Sequence, residues 1–379
     1  MYHGIVEGYY GKPFTEKQRK ILLDELSSLE NPAYFFAPKD DPWHRLLWRE
    51  PYPDKEWLSL QSCMGGATSF FFSISPWKFQ DHEWKIARGK LLRSVDSGAA
   101  GLSILFDDVP DKSAGKLAER QMNFAMRALE GTDLPVILCP SVYCGEFLER
   151  FSEAEEYLRV WREMIPADWG SFWTGPMVVS EELSDLHLAE ELLGGKPVIW
   201  DNVLATDYCL RRVYLAGLNG RVPDNYSWFI NPSEIFPAAL HGAMEQKAAL
   251  GYRREWPALL GGRRLGWELM QEFHYLPWRT GDTGGEILAR LSNALNGNGV
   301  EDALAWLNEA VPEMADFVES VPLIEGGWEL LPVARDLYRS LSIIRRALET
   351  DDPAGSLHYF MHIRLPYENP VAALAAGKR

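Results

Sequence analysis

The chain has 379 residues, enough for two domains or for one large domain with an appendage, and enough for a sizeable core. With 46% hydrophobic and 24% charged residues it lies near the average of folded water-soluble proteins, which excludes disorder, collagen and coiled coil as descriptions of the whole. The 54 Asp and Glu against 38 Lys and Arg give a formal charge of −16, which repels phosphate backbones and anionic lipid, so neither nucleic acid nor a membrane is an expected partner.

Residues 1 to about 235 repeat one theme, a short apolar or aromatic run followed by an amphipathic stretch. Eight such runs, 4–10, 32–37, 69–75, 102–106, 135–139, 171–174, 197–200 and 226–230, are bounded by Gly, Pro, Asn or Asp and predict strands covered on both faces. Between them lie helix signals. Thr15 and Gln18 predict a capping box ahead of Leu22, Leu26 and Leu29, and Ser152 with Glu155 predicts another ahead of Tyr157, Leu158 and Trp161. Leu117, Phe124, Ala125 and Ala128 stripe one helix face, and Gly194-Gly195 ends the helix before the seventh strand. Eight strand–helix units in about 250 residues predict an α/β fold of the (β/α)8 TIM-barrel type. A doubly wound open sheet is the alternative, but no G-x-G-x-x-G or P-loop follows any strand.

Beyond about residue 250 the strand signal stops. Residues 284–294, 300–311 and 326–348 carry helical periodicity, separated by Gly-Asn-Gly, Pro and Gly-Gly breaks. The expected organisation is therefore a barrel over 1–250, the catalytic part, followed by an all-helical domain over 251–379. Cys63, Cys139, Cys144 and Cys209 are too few and too irregular for a disulfide framework and read as reduced thiols. His358 and His362 stand at i, i+4 but lack the Glu of H-E-x-x-H, so neither a metal nor a cofactor is expected. The opening residues have no basic n-region or apolar h-region, which points to a cytoplasmic protein. Fifteen Trp, 15 Tyr and 17 Phe make up an aromatic fraction that favours carbohydrate as a ligand, since sugar rings stack on flat side chains.

In a barrel of this kind the active site forms where the strands end at their C-terminal lip. The predicted lip is polar: Glu7 to Gly11 on strand one, Lys39-Asp40-Asp41 on two, Asp107-Asp108 on four, Ser141-Val142-Tyr143 on five, Asp201-Asn202 on seven and Asn231 on eight. Asp107 and Asp108 leave a buried strand together. Like-charge proximity and burial are expected to raise one pKa, giving a proton donor beside a charged carboxylate. From the dipeptide alone, a helix N-cap or a salt-bridged loop pair accounts for them better than catalysis does. Asp40 and Asp41 form a rival pair, which nearby Lys39 and Arg45 are expected to neutralise in a structural or positioning role.

The motifs 4–11 (GIVEGYYG), 37–41 (APKDD) with His44-Arg45, 105–108 (LFDD), Cys139-Pro140 with Tyr143-Cys144-Gly145, 173–176 (WTGP), and Trp200-Asp201-Asn202 with Asp207-Tyr208 occur in order. As a set the chain resembles glycoside hydrolase family 84, the O-GlcNAcase and β-N-acetylglucosaminidase family, over roughly residues 2–235. The resemblance implies hydrolysis of terminal β-linked GlcNAc with retention. In that mechanism the substrate's 2-acetamido oxygen is the nucleophile and an oxazoline is the intermediate. It implies Asp107 as acceptor of the acetamide N–H, Asp108 as general acid and base, and Tyr143 as donor to the acetamide oxygen. Cys139 and Trp200 match residues around the acetyl methyl. Gly8, Tyr10, Lys39, Asn202, Asp207 and Asn231 match positions that bind the sugar or its acetamide. Thr206 departs from the Asn expected before the Asp. Neither a carbohydrate-binding module nor an acetyltransferase-like region is apparent. The implied partner is a GlcNAc-bearing glycoside or an O-GlcNAc-modified protein; an endo-acting hyaluronan- or chitin-type hydrolase and a carbohydrate-binding pseudoenzyme are the competing functions.

Overall fold

All eight predicted runs form strands in a computed structural model, which describes residues 1–108, 114–209, 212–256, 258–360 and 369–375. They are β1 His3–Glu7, β2 Pro32–Phe36, β3 Ser69–Ile74, β4 Gly101–Leu105, β5 Val136–Cys139, β6 Gly170–Trp173, β7 Pro197–Asp201 and β8 Ser227–Ile230. Every neighbouring pair is parallel, and β8 returns to β1 through Gly4 opposite Phe229, so the sheet is a closed barrel in chain order. Helices separate successive strands as far as β7, and among the described residues none lies between β7 and β8; the architecture is the expected (β/α)8 type.

The aromatic content of the strands explains why the barrel closes over a solid interior. Phe35, Phe71, Phe172 and Phe229 meet inside, Phe35 stacking on Phe71 at 4.3 Å and meeting Phe229 edge-on at 4.9 Å. Phe172 in turn meets Trp200 at 5.0 Å, so this layer is the floor under the strand-seven end. On the outer side, Glu7 is fully buried and accepts from both Nε and Nη2 of Arg19, from the Tyr34 hydroxyl and from the Phe14 amide. Glu7 is thus part of the wall and not of the lip. β1 is shorter than expected because the Gly8 amide turns back onto the Val6 carbonyl at 2.8 Å, which frees residues 8–11 to form the lip.

Of the two expected capping boxes, one forms. Thr15 caps the helix Glu16–Leu26 and Gln18 reciprocates. Ser152 does not cap: the helix Ala154–Met164 starts one residue later, after Glu153, because the Phe151 carbonyl already takes the Ala154 amide. Gly194 ends the helix Leu186–Leu193 in the left-handed conformation, as its position predicts.

The chain divides into two compact units, Met1–Ala205 with Asn219–Glu234, which holds the whole barrel sheet, and Thr206–Leu218 with Ile235–Arg379. The second unit is helical. Its helices include Phe236–Ala249, Arg264–Phe273, Asp282–Leu295, Val300–Ser320 and Gly327–Leu348. Pro312 was expected to close a helix near residue 311, yet the helix continues to Ser320. The missing N–H and ring clash cost about 3 kcal/mol, and burial of Val311, Met314 and Phe317 on the inner face offsets this. Among the described residues no helix is long and apolar enough to cross a membrane. His362 lies outside the described residues.

Candidate active site

Asp107 and Asp108 follow the end of β4. The strand end is pinned from both sides: the Phe106 amide donates to the Cys139 carbonyl at 2.8 Å and the Ser141 hydroxyl to the Phe106 carbonyl at 2.7 Å. Consecutive residues of an extended strand point to opposite faces, so two neighbouring carboxylates reach one site only if the backbone leaves that conformation. It does so at Asp108, whose φ of 53° lies in the left-handed region. Asp tolerates that region better than most residues.

The two carboxylates then meet different groups. Asp107 is 7% exposed; its Oδ2 pairs with the Lys39 ammonium at the end of β2, and its Oδ1 is buried with no hydrogen-bond partner among the described residues. Asp108 accepts from the Tyr143 hydroxyl on Oδ1 at 3.1 Å and from the Tyr10 hydroxyl on Oδ2 at 2.8 Å. Burial alone favours the neutral form of Asp108. Lys39, the two hydroxyl donors and Arg45 outweigh it and hold this carboxyl below its ordinary range. The upward shift expected for a proton donor is therefore not found on Asp108, because the like-charge reading omitted the cations and hydroxyls that the fold brings in. Tyr10 and Tyr143 are both pushed above the usual phenol range by burial and by the adjacent carboxylate, so they stay protonated donors.

The expectation that Lys39 and Arg45 neutralise Asp40 and Asp41 is corrected in the same way. Lys39 turns to Asp107, and Arg45 donates to the Tyr10 hydroxyl and to the Asp108 carbonyl. Asp40 instead accepts from the Gly11 amide at 2.9 Å, while Asp41 accepts from the His44 amide at 2.8 Å and the Tyr52 hydroxyl at 3.0 Å. Both are thus held by backbone amides and a phenol in place of the expected cations. Asp201 at the end of β7 is also structural, paired with Arg221 at 2.7 Å and 2.9 Å and with the Trp228 indole. The Ser141 hydroxyl is likewise occupied, donating to the Phe106 carbonyl and accepting from the Gln121 side-chain amide, while the Ser141 amide donates to the Tyr157 hydroxyl.

Four more of the expected positions are linked to one another. The Trp200 indole donates to Asn202 Oδ1 at 2.9 Å, Asn231 Nδ2 donates to the same oxygen at 2.9 Å, and Asn231 Oδ1 takes the Gly8 amide at 3.1 Å. Lys39 Nζ stands 5.3 Å from the Trp200 ring, joining this chain to the acidic pair. Cys139 is buried, with its thiol pKa pushed well up by burial, and behaves as a small apolar surface. Asp207 is half-buried and belongs to Thr206–Leu218, the stretch grouped with the second unit. Arg45 is the residue that motif reading undervalued. It stood in the His44-Arg45 pair, but nothing local tells which carboxylate a long side chain will meet.

A closed eight-stranded parallel barrel with paired carboxylates at the C-terminal lip defines a TIM barrel that carries an acidic pair where such barrels do their chemistry. The family described as NAGidase, beta-N-acetylglucosaminidase, matches residues 3–239, well over half of the chain, and the chain belongs to it. Protein O-GlcNAcase of Rattus norvegicus is 32% identical over 258 residues, 62% of this chain and 28% of that protein, and the Mus musculus protein matches equally. The aligned region thus spans little more than a quarter of those relatives. A mutant of the Thermobaculum terrenum O-GlcNAc hydrolase shares the fold with a TM-score of 0.79 at 22% identity, covering 100% of this chain and 93% of that one.

Proposed function

We propose that this chain is a retaining, exo-acting β-N-acetylglucosaminidase that releases terminal β-linked GlcNAc from Ser or Thr of proteins or from small glycosides, with catalysis in the barrel over residues 1–250. The observation that carries this reading is the unlike pair at the end of β4: Asp107 with a buried Oδ1 that has no donor among the described residues, and Asp108 held by two phenol hydroxyls. The free Oδ1 suits the N–H of a 2-acetamido group. As that group's oxygen attacks the anomeric carbon, positive charge grows on its nitrogen, and Asp107 stabilises it. Asp108 gives a proton to the departing glycosidic oxygen, then takes one from the water that opens the oxazoline, so the configuration is retained.

The depressed pKa of Asp108 fits this sequence. An acetamide oxygen that engages the Tyr143 hydroxyl removes one of the two phenol donors that favour the charged form, while Tyr10 stays in place. The carboxyl then rises toward a proton donor once substrate is in place. Tyr143 also holds the nucleophilic oxygen in attack geometry.

Leaving-group dependence tests the roles. Asp108→Ala is expected to reduce kcat/KM for a GlcNAc-Ser peptide by ~10²-fold or more, and far less for an activated aryl glycoside. Asp107→Ala is expected to impair both. The sugar released first, followed by proton NMR, is expected to be the β-anomer, and a thiazoline that mimics the oxazoline is expected to inhibit. An α-product or indifference to the thiazoline would refute substrate assistance.

A further inference from the structure

Arg45 takes part in no ion pair with the acidic residues next to it in sequence. Its half-buried guanidinium reaches Asp108 by two routes: Nη2 donates to the Asp108 carbonyl at 3.2 Å, and Nη1 donates to the Tyr10 hydroxyl. That hydroxyl in turn donates to Asp108 Oδ2 at 2.8 Å, and the guanidinium carbon stands 5.4 Å from the Tyr10 ring centre. Main chain and side chain of a single residue are therefore tied to one planar group.

The tie falls on a residue with φ of 53°, a conformation that L side chains rarely adopt. Such a backbone persists where its surroundings over-determine it. Among the described residues, the Asp108 carbonyl accepts from this guanidinium, and the carboxylate accepts from the two phenols. We propose that Arg45 is a positioning residue for Asp108, bracing the left-handed turn through the carbonyl and aiming the carboxyl through Tyr10. This rests on the reading of Asp108 as the acid and base. The fork of the guanidinium is essential to the role, because an ammonium is a point charge that cannot span both acceptors at once.

The groups around the Asp108 carboxyl are Tyr10 from the end of β1, Lys39 from the end of β2, Asp107 beside it, Cys139 and Tyr143 from the end of β5, and Arg45 from the loop after β2. Arg45 thus contributes charge as well as geometry, and the two can be separated by substitution. In the full chain, Arg45→Met is expected to lower kcat/KM for a GlcNAc-Ser peptide ~10-fold while changing an activated aryl glycoside less than ~3-fold. Loss of the cation favours protonated Asp108, so the alkaline limb of the kcat/KM profile is expected to move upward by ~0.5 pH unit.

Arg45→Lys is expected to return the limb to its original position without restoring the rate on the peptide; it also carries the comparison if the methionine variant melts early. Equal losses on the two substrates, or full recovery of rate with lysine, would overturn the positioning role. Asp108→Ala, measured alongside, separates the two failures. If it fails to discriminate leaving groups, the acid assignment falls and Arg45's role falls with it; if it discriminates and Arg45→Met does not, only the Arg45 proposal falls.

Discussion

Gly8 packs against the Trp200 indole. A Cβ there would stand 2.0 Å from Trp200 Cζ2, and Trp200 cannot yield easily, since Asn202 holds its nitrogen and Phe172 lies under its ring. Gly8→Ala is expected to displace the indole and cut kcat/KM at least ~10-fold while the protein stays folded, a loss measured with an aryl β-N-acetylglucosaminide. Unchanged kinetics would mean that the indole is free to swing. At this scale the candidate site was legible in its residue types and only partly in its pairings. Asp107, Asp108 and Tyr143 stand at strand ends that the pattern locates. Which carboxylate Lys39 and Arg45 meet depends on how far β2 and β4 approach across the lip, and sequence distance misdirects: Asp40 is adjacent to Lys39, yet the ammonium crosses 68 positions to Asp107.

Elements were more legible than pairings, because their signals are local. Phe35, Phe36, Phe70, Phe71 and Phe72 are fully buried on two faces of two adjacent strands, so both strands read as continuous apolar runs. Element ends were less so. The Ser152 box failed because the Ala154 amide turns onto the Phe151 carbonyl and the helix begins after Glu153, a one-residue shift that no propensity records. Pro312 misled in the other direction. It is exposed on the outer face of the helix Val300–Ser320, while Val311 and Met314 beside it are buried. Pro312→Ala is therefore expected to regain a helical hydrogen bond without disturbing the core. The predicted gain is ~1–2 kcal/mol after allowing for the freer unfolded chain, or a rise of roughly 2 °C or more in Tm. A lower Tm would indicate that the proline ring packs against something its exposure does not suggest.

Across the whole molecule, buried neutral histidines set the response to acid. In the second unit His241 lies between Trp256 and Trp267, at 5.7 Å and 5.8 Å, and burial lowers its pKa to about 3; burial lowers that of His274 to about 4. Both values are below the 6.5 of an unfolded histidine, so the unfolded chain binds protons first. Stability is thus complete above about pH 6.5 and falls as the pH drops from there toward 4 and 3, by about 1.4 kcal/mol per pH unit for each histidine. Thermal melts are expected to show Tm lower at pH 5 than at pH 7, and His241→Phe, which keeps a flat ring between the two indoles and removes the titrating group beside Glu245, should flatten that slope. An identical slope in the variant would acquit His241.

Local chemistry, alternating apolar runs with turn residues, was enough to determine a barrel of eight strands, a helical stretch after it and a polar lip with two adjacent acids, because backbone pattern and burial are written in neighbouring residues. Only the folded chain decided that Thr206–Leu218 groups with the helices beyond residue 235, where the Leu215 amide finds the His274 carbonyl at 2.7 Å. The same holds for the charge state of Asp108. It depends on an ammonium, a guanidinium and two phenols from three other parts of the chain, and electrostatic energy follows distance through space, which the order of residues does not encode.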